Sequence, residues 1–92
     1  MSYTTITTDQ AARIAKRLAN HWRHKFTVSE SAGVQHIHFP NATITLTPHE
    51  NALHISITKT TSDDAFDEAH LQKVVADHVD RMAGETFTYH WQ

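Results

Sequence analysis

From Phe26 to Thr58 the chain alternates apolar and polar residues with period two, interrupted only by short turn signals. This constrains the fold more than any other feature, because period-two alternation places one residue set on each side of a pleated strand. Phe26–Ser29 is a first strand, closed by the turn Ser31-Ala32-Gly33. Val34–Phe39 follows, with Gln35, Ile37 and Phe39 on one side and Val34, His36 and His38 on the other. Pro40-Asn41-Ala42 breaks the run. Thr43–Thr47 then turns Ile44 and Leu46 inward, and Ala52–Thr58 turns Leu53, Ile55 and Ile57 inward after the turn Pro48–Asn51. Loops this short cannot make parallel crossovers, so the four strands form an antiparallel meander with one covered face.

The cover must come from the flanking segments. Tyr3–Thr7 is rich in β-branched residues and reads as a short strand, suited to an edge. From Asp9 to Lys25 the period changes to that of a helix: Ala11, Ile14, Ala15, Leu18 and Trp22 form one stripe, with Thr8 or Asp9 as N-cap. A second helix is expected from Ser62 or Asp63 to about Met82 or Ala83, with Leu71, Val74, Val75, His78 and Met82 inward and Gly84 ending it in left-handed geometry. Thr86–Trp91 alternates again and is expected as a last strand. The order β-α-β-β-β-β-α-β implies an α+β, two-layer sandwich: a mostly antiparallel sheet with two helices on one face. Its 92 residues make a single domain, 1–92.

Composition removes several function classes. With no cysteine there are no disulfides, thiolate metal sites or cysteine nucleophiles. A formal net charge of −2 offers no general attraction to nucleic acid or anionic lipid, so neither is expected as a partner. No apolar run approaches a membrane span and the start carries no secretory pattern, so a soluble, cytoplasmic protein is expected. With only two glycines there is no phosphate-binding loop, and nothing places Ser, His and Asp together. No catalytic residue is assigned, and an enzyme is the less favoured reading.

Histidine is the unusual component, with nine dispersed along the chain. His21 lies three residues after Leu18 and seven after Ile14, near the middle of the first apolar stripe; His78 lies on the inner face of the second helix. If the helices lie side by side, the two imidazoles meet. Imidazole suits Zn, Fe or Cu, with His24, Asp77 or Asp80 as further ligands. We therefore name His21, His24 and His78 as candidate metal ligands, and Trp22, His24, Lys25 and Arg81 as candidate ligand or partner contacts. The competing expectation is a pair of partly buried histidines bonded to backbone or carboxylate. His36, His38, His54 and His90 fall on the non-core parity of their strands and would line an open sheet face, suited to a monomer or to a homodimer formed there. Trp22, Phe87, Tyr89 and Trp91 are expected in the core.

Leu18-Ala19-Asn20-His21-Trp22-Arg23-His24-Lys25, His38-Phe39-Pro40, Leu71 to Arg81 and the terminal Trp91 together resemble the domain-of-unknown-function 2218 family of small bacterial proteins, across essentially the whole chain. Ile14, Val79 and Met82 depart from the family's usual tyrosine, leucine and phenylalanine but keep apolar character. The family also occurs joined to siderophore-interacting reductases. The resemblance thus implies an accessory or binding domain in iron or siderophore handling, with a siderophore-related ligand or reductase as partner; Zn or Fe is the ion expected from the histidines themselves.

Overall fold

The computed structural model describes all residues, 1–92. Strands β1 (Ser2–Thr7), β2 (Thr27–Ser31), β3 (Val34–Phe39), β4 (Ala42–Pro48) and β5 (Ala52–Lys59) form one sheet in the order β1-β5-β4-β3-β2, every neighbouring pair antiparallel. The meander stands as expected, and β1 adds to its far edge beside β5. Helices α1 (Ala11–Trp22) and α2 (Glu68–Ala83) cover one face. The α+β sandwich is confirmed.

The sheet order dictates where α1 lies. It joins β1 at one edge to β2 at the other, so it must cross the whole sheet. Four strand spacings of about 4.8 Å span ~19 Å, and twelve helical residues rise ~18 Å. The stripe Ala11, Ile14, Ala15, Leu18, Ala19 and Trp22 is buried along that path. Three alanines in it let the backbone approach the sheet. Beneath lie the register rows Ile37–Ile44–Ile57 and Leu46–Ile55, all fully buried.

The sheet's inner face is polar at both edges. On β1, Ser2 Oγ donates to Glu68 and accepts from Gln72 Nε2 at 2.8 Å, tying the first turns of α2 to the sheet edge. At the other edge Gln35 Nε2 donates to Glu30 at 2.8 Å. The β2–β3 hairpin turns on Ala32 and Gly33, with φ of 52° and 84°. Positive φ at both central residues is the requirement of a type I′ turn, whose twist matches the strands.

Three boundaries differ from expectation. Neither Thr8 nor Asp9 caps α1: the cap position is Gln10, whose N–H is taken by the Thr8 hydroxyl at 3.1 Å. α2 begins at Glu68 rather than near Ser62. Asp63 accepts from Ala65 N–H in a local turn, and Asp67 is the residue that caps the helix, through His70 N–H. The final strand does not form. Phe87 N–H is spent on the Asp80 carboxylate at 3.1 Å and His90 N–H on Thr4 Oγ1 at 3.3 Å, leaving only Tyr3 and Gln92 to exchange backbone hydrogen bonds. The alternation survives without the ladder, since Phe87, Tyr89 and Trp91 are half-buried against the core and their neighbours exposed. Gly84 ends α2 as expected, at φ 73°, its N–H bonded to Asp80 O.

Candidate functional site

The two helices meet where α1 ends. Arg23 N–H bonds Ala19 O, and the amides of Lys25 and Phe26 both turn back onto Trp22 O, at 3.0 and 2.8 Å. This sharp exit sends the chain into β2 and leaves Trp22 as the last inward residue. The Trp22 indole is buried, 5% exposed, and stands edge-on to Phe39 with centroids 5.0 Å apart. Phe39 in turn stacks on Phe26 at 4.1 Å. Trp22 therefore supports the surface from below, with little of its own ring exposed.

His78 lies over this platform, its ring 4.8 Å from Trp22 and 5.4 Å from His21. The pairing of the two imidazoles expected from the sequence is present. Their placement differs in detail. His21 is exposed, because helical rotation sets it about a quarter turn from the centre of a stripe that Leu18 and Trp22 occupy. On α2 the buried line is Leu71, Val75 and Val79, with Val74, His78 and Met82 half-buried on its flank.

His78 Nδ1 lies 2.7 Å from the carbonyl of Val74, one turn earlier. A carbonyl only accepts, so Nδ1 carries the proton, and in the neutral ring the lone pair is on Nε2. Fixing one ring nitrogen in this way is how proteins orient an imidazole for a ligand. The third expected metal ligand does not join: no group of three or more His, Asp or Glu side chains is placed to hold a metal ion. His24 and Lys25 are exposed past the helix end, with Lys25 Nζ 5.6 Å from the Phe26 ring. Arg81 is exposed one turn beyond His78, on the same flank of α2. Asp77 is taken by Lys73 at 3.3 Å, and Asp80 by Phe87 and Tyr89.

Charge is segregated along the chain. Between Asp9 and Glu30 there is no acidic residue, yet five of the eight Lys and Arg residues lie there: Arg13, Lys16, Arg17, Arg23 and Lys25. The molecule's two ion pairs, Met1–Glu68 and Lys73–Asp77, involve none of them. An open groove of about 280 Å³ adjoins the platform through Phe39, lined also by Pro40, Ala42, Phe66, His70 and Leu71. Sequence reasoning missed it because its far wall is the loop before α2, read there as helix. Its one signal was Phe66, an apolar residue in the acidic run Asp63–Glu68.

Tyr89 anchors the C-terminal segment. Its hydroxyl donates to Asp80 Oδ1 at 2.7 Å and lies 3.3 Å from Ala76 O. Desolvation, then the bond to Asp80, pushes the phenol well above the usual tyrosine range. Of the remaining histidines three are on the outer sheet face, His38 beside Ser29 and Thr43, His36 beside Thr45, and His54 beside Thr5; His90, expected there too, lies in the C-terminal segment, which forms no strand. No helix is long and apolar enough to cross a membrane.

A model of a family described as uncharacterized protein conserved in bacteria (DUF2218) matches residues 3–92. No curated protein matches the chain. The NMR structure of PA4090 from Pseudomonas aeruginosa is similar, with 35% sequence identity, a TM-score of 0.76, and coverage of 99% of this chain and 93% of that one.

Proposed function

The chain belongs to the DUF2218 family of uncharacterised bacterial proteins, and we propose that it is a non-catalytic binding module whose contact surface is the end of α1 with the adjoining flank of α2. His21 and His78 supply the directional contacts, Lys25 and Arg81 form a cationic rim, and His24 stands beside it as a further contact. The observation that carries this reading is the 5.4 Å approach of the two imidazoles, with His78 Nδ1 tied to Val74 so that Nε2 remains for a ligand. Two imidazoles fill only part of a Zn or Fe coordination shell, so the remaining positions belong to the incoming molecule. The five unpaired cations from Arg13 to Lys25 favour an anionic one. A ferric chelate rich in carboxylate or related oxygens, of the siderophore class, satisfies both demands. It also agrees with the iron-handling role and the reductase partner that the family resemblance implies.

The test is a thermal-shift and calorimetric titration with ferric citrate, a ferric hydroxamate and Zn²⁺ separately, on protein purified without a histidine-affinity step. A ligand at about one hundred times its Kd stabilises by about 2.7 kcal/mol. We expect that response in the wild type and its loss in His21→Ala, an exposed position where truncation leaves the fold intact. An unchanged response in His21→Ala, or none in the wild type, sinks the proposal.

A further inference from the structure

The outer face of the sheet, opposite the helices, has an unusual composition. Its positions are Tyr3, Thr5 and Thr7 on β1, Ala52, His54, Ser56 and Thr58 on β5, Thr43, Thr45 and Thr47 on β4, Val34, His36 and His38 on β3, and Thr27, Ser29 and Ser31 on β2. None is Lys, Arg, Asp or Glu, although the chain is 20% charged. A solvated sheet face normally carries charges, which also guard against association. Here all the formal charge lies on the helices, loops, strand ends and inner-face edge positions, and the outer face is a lawn of hydroxyls with three imidazoles.

We infer that this face is a self-association surface, where two copies of the chain stack sheet to sheet across a two-fold axis. Three features select a second copy as the occupant. A two-fold axis brings a surface against itself, so the surface must be self-complementary. Hydroxyls and neutral imidazoles both donate and accept, so they can pair with their own kind in either direction. And a neutral face meeting its copy desolvates no formal charge, whereas a charged partner would leave its own ions buried and unpaired against it.

Size sets the strength. Five strands at about 4.8 Å and roughly 20 Å of strand length give each copy a face of about 500 Å². Two such faces bury ~1,000 Å², at the lower limit of specific interfaces, so the dimer is weak and concentration-dependent. The apposed copy presents the same hydroxyls and imidazoles, with no carboxylate, Lys or Arg on either.

This surface is on the far side of the sheet from His21 and His78, so its test is independent of the ligand proposal. Sedimentation of the full chain at pH 8 over roughly 5 to 500 µM should show a monomer–dimer equilibrium with Kd in the micromolar range. Thr45→Arg, at the centre of the face, should weaken it at least about tenfold through apposed like charges. Thr58→Lys, at an exposed position that cannot disturb the core, should do the same. Far-UV circular dichroism of both variants should match the wild type. A strict monomer at the highest concentration, or a dimer indifferent to both substitutions, would overturn the inference.

Discussion

Tyr89→Phe removes one hydroxyl and tests how the C-terminal segment is held. The phenol donates to the Asp80 carboxylate at 2.7 Å, and the same oxygen also takes Phe87 N–H. A hydrogen bond to a charged group is worth about 1.5–3 kcal/mol, and this ring is only half-buried, so we expect a loss of about 1–2 kcal/mol. In a domain of this size that lowers Tm by ~4–12 °C. Asp80 keeps the Phe87 amide as a donor, so the variant still folds. The alkaline arm is the sharper test. In the unfolded chain tyrosine titrates near pH 10; in the fold, burial and Asp80 hold the proton on Tyr89 above that. The folded state therefore binds more protons than the unfolded state above about pH 10, and stability falls as pH rises there. Phenylalanine has no such proton. Urea unfolding at pH 8, 10 and 11 should show the wild type's advantage narrowing, by less than ~1 kcal/mol per pH unit once solvent screening of the half-exposed ring is allowed for. A gap that is constant with pH, or no gap at pH 8, refutes the account.

Two further substitutions probe the scaffold. Ala32→Asn should stabilise the β2–β3 hairpin by about 0.5–1 kcal/mol in urea melts, because Ala32 is at φ 52° and asparagine tolerates that region better. Leu18→Ala, at a fully buried position on the inner face of α1, should cost about 3–5 kcal/mol and leave little folded protein by circular dichroism at 37 °C.

The meander and α1 were legible because their patterns need only local information. Ile44, Leu46, Leu53, Ile55 and Ile57 alternate over uninterrupted runs, and their parity decides which face is covered. What the sequence hid depends on competition between nearby partners. Asp63, Asp64 and Asp67 are all chemically able to cap a helix, and only the turn at Asp63–Ala65 decides for Asp67. Residues 86–91 have the composition of a strand, but Asp80 and Thr4 take two of the amides a ladder would need. His21 was placed one step too far inward, since a histidine next to a tryptophan on a helix cannot share its inward direction. The approach of His21 to His78 was nonetheless foreseeable from helix faces alone; the bond from His78 to Val74 was not, because it depends on a single rotamer.

The histidine pair can also be accounted for without any ligand, and the two members separate the accounts. His78 has structural work: it satisfies Nδ1 on Val74 O and covers the Trp22 indole. Replacing it should cost stability whatever the protein binds. His21 has none of this. It is exposed, its side chain makes no hydrogen bond within the molecule, and its ring lies near those of His78 and Trp22. A purely structural reading therefore predicts that His21→Ala is silent in every assay, within the ~0.5 kcal/mol typical of surface changes. The binding reading agrees on stability and differs on ligand response. His21→Ala should keep its Tm and lose the shift with ferric citrate, the ferric hydroxamate or Zn²⁺, while His78→Ala should lose both. If His21→Ala binds as the wild type does, the pair is packing, and the basic end of α1 must hold its partner through charge alone.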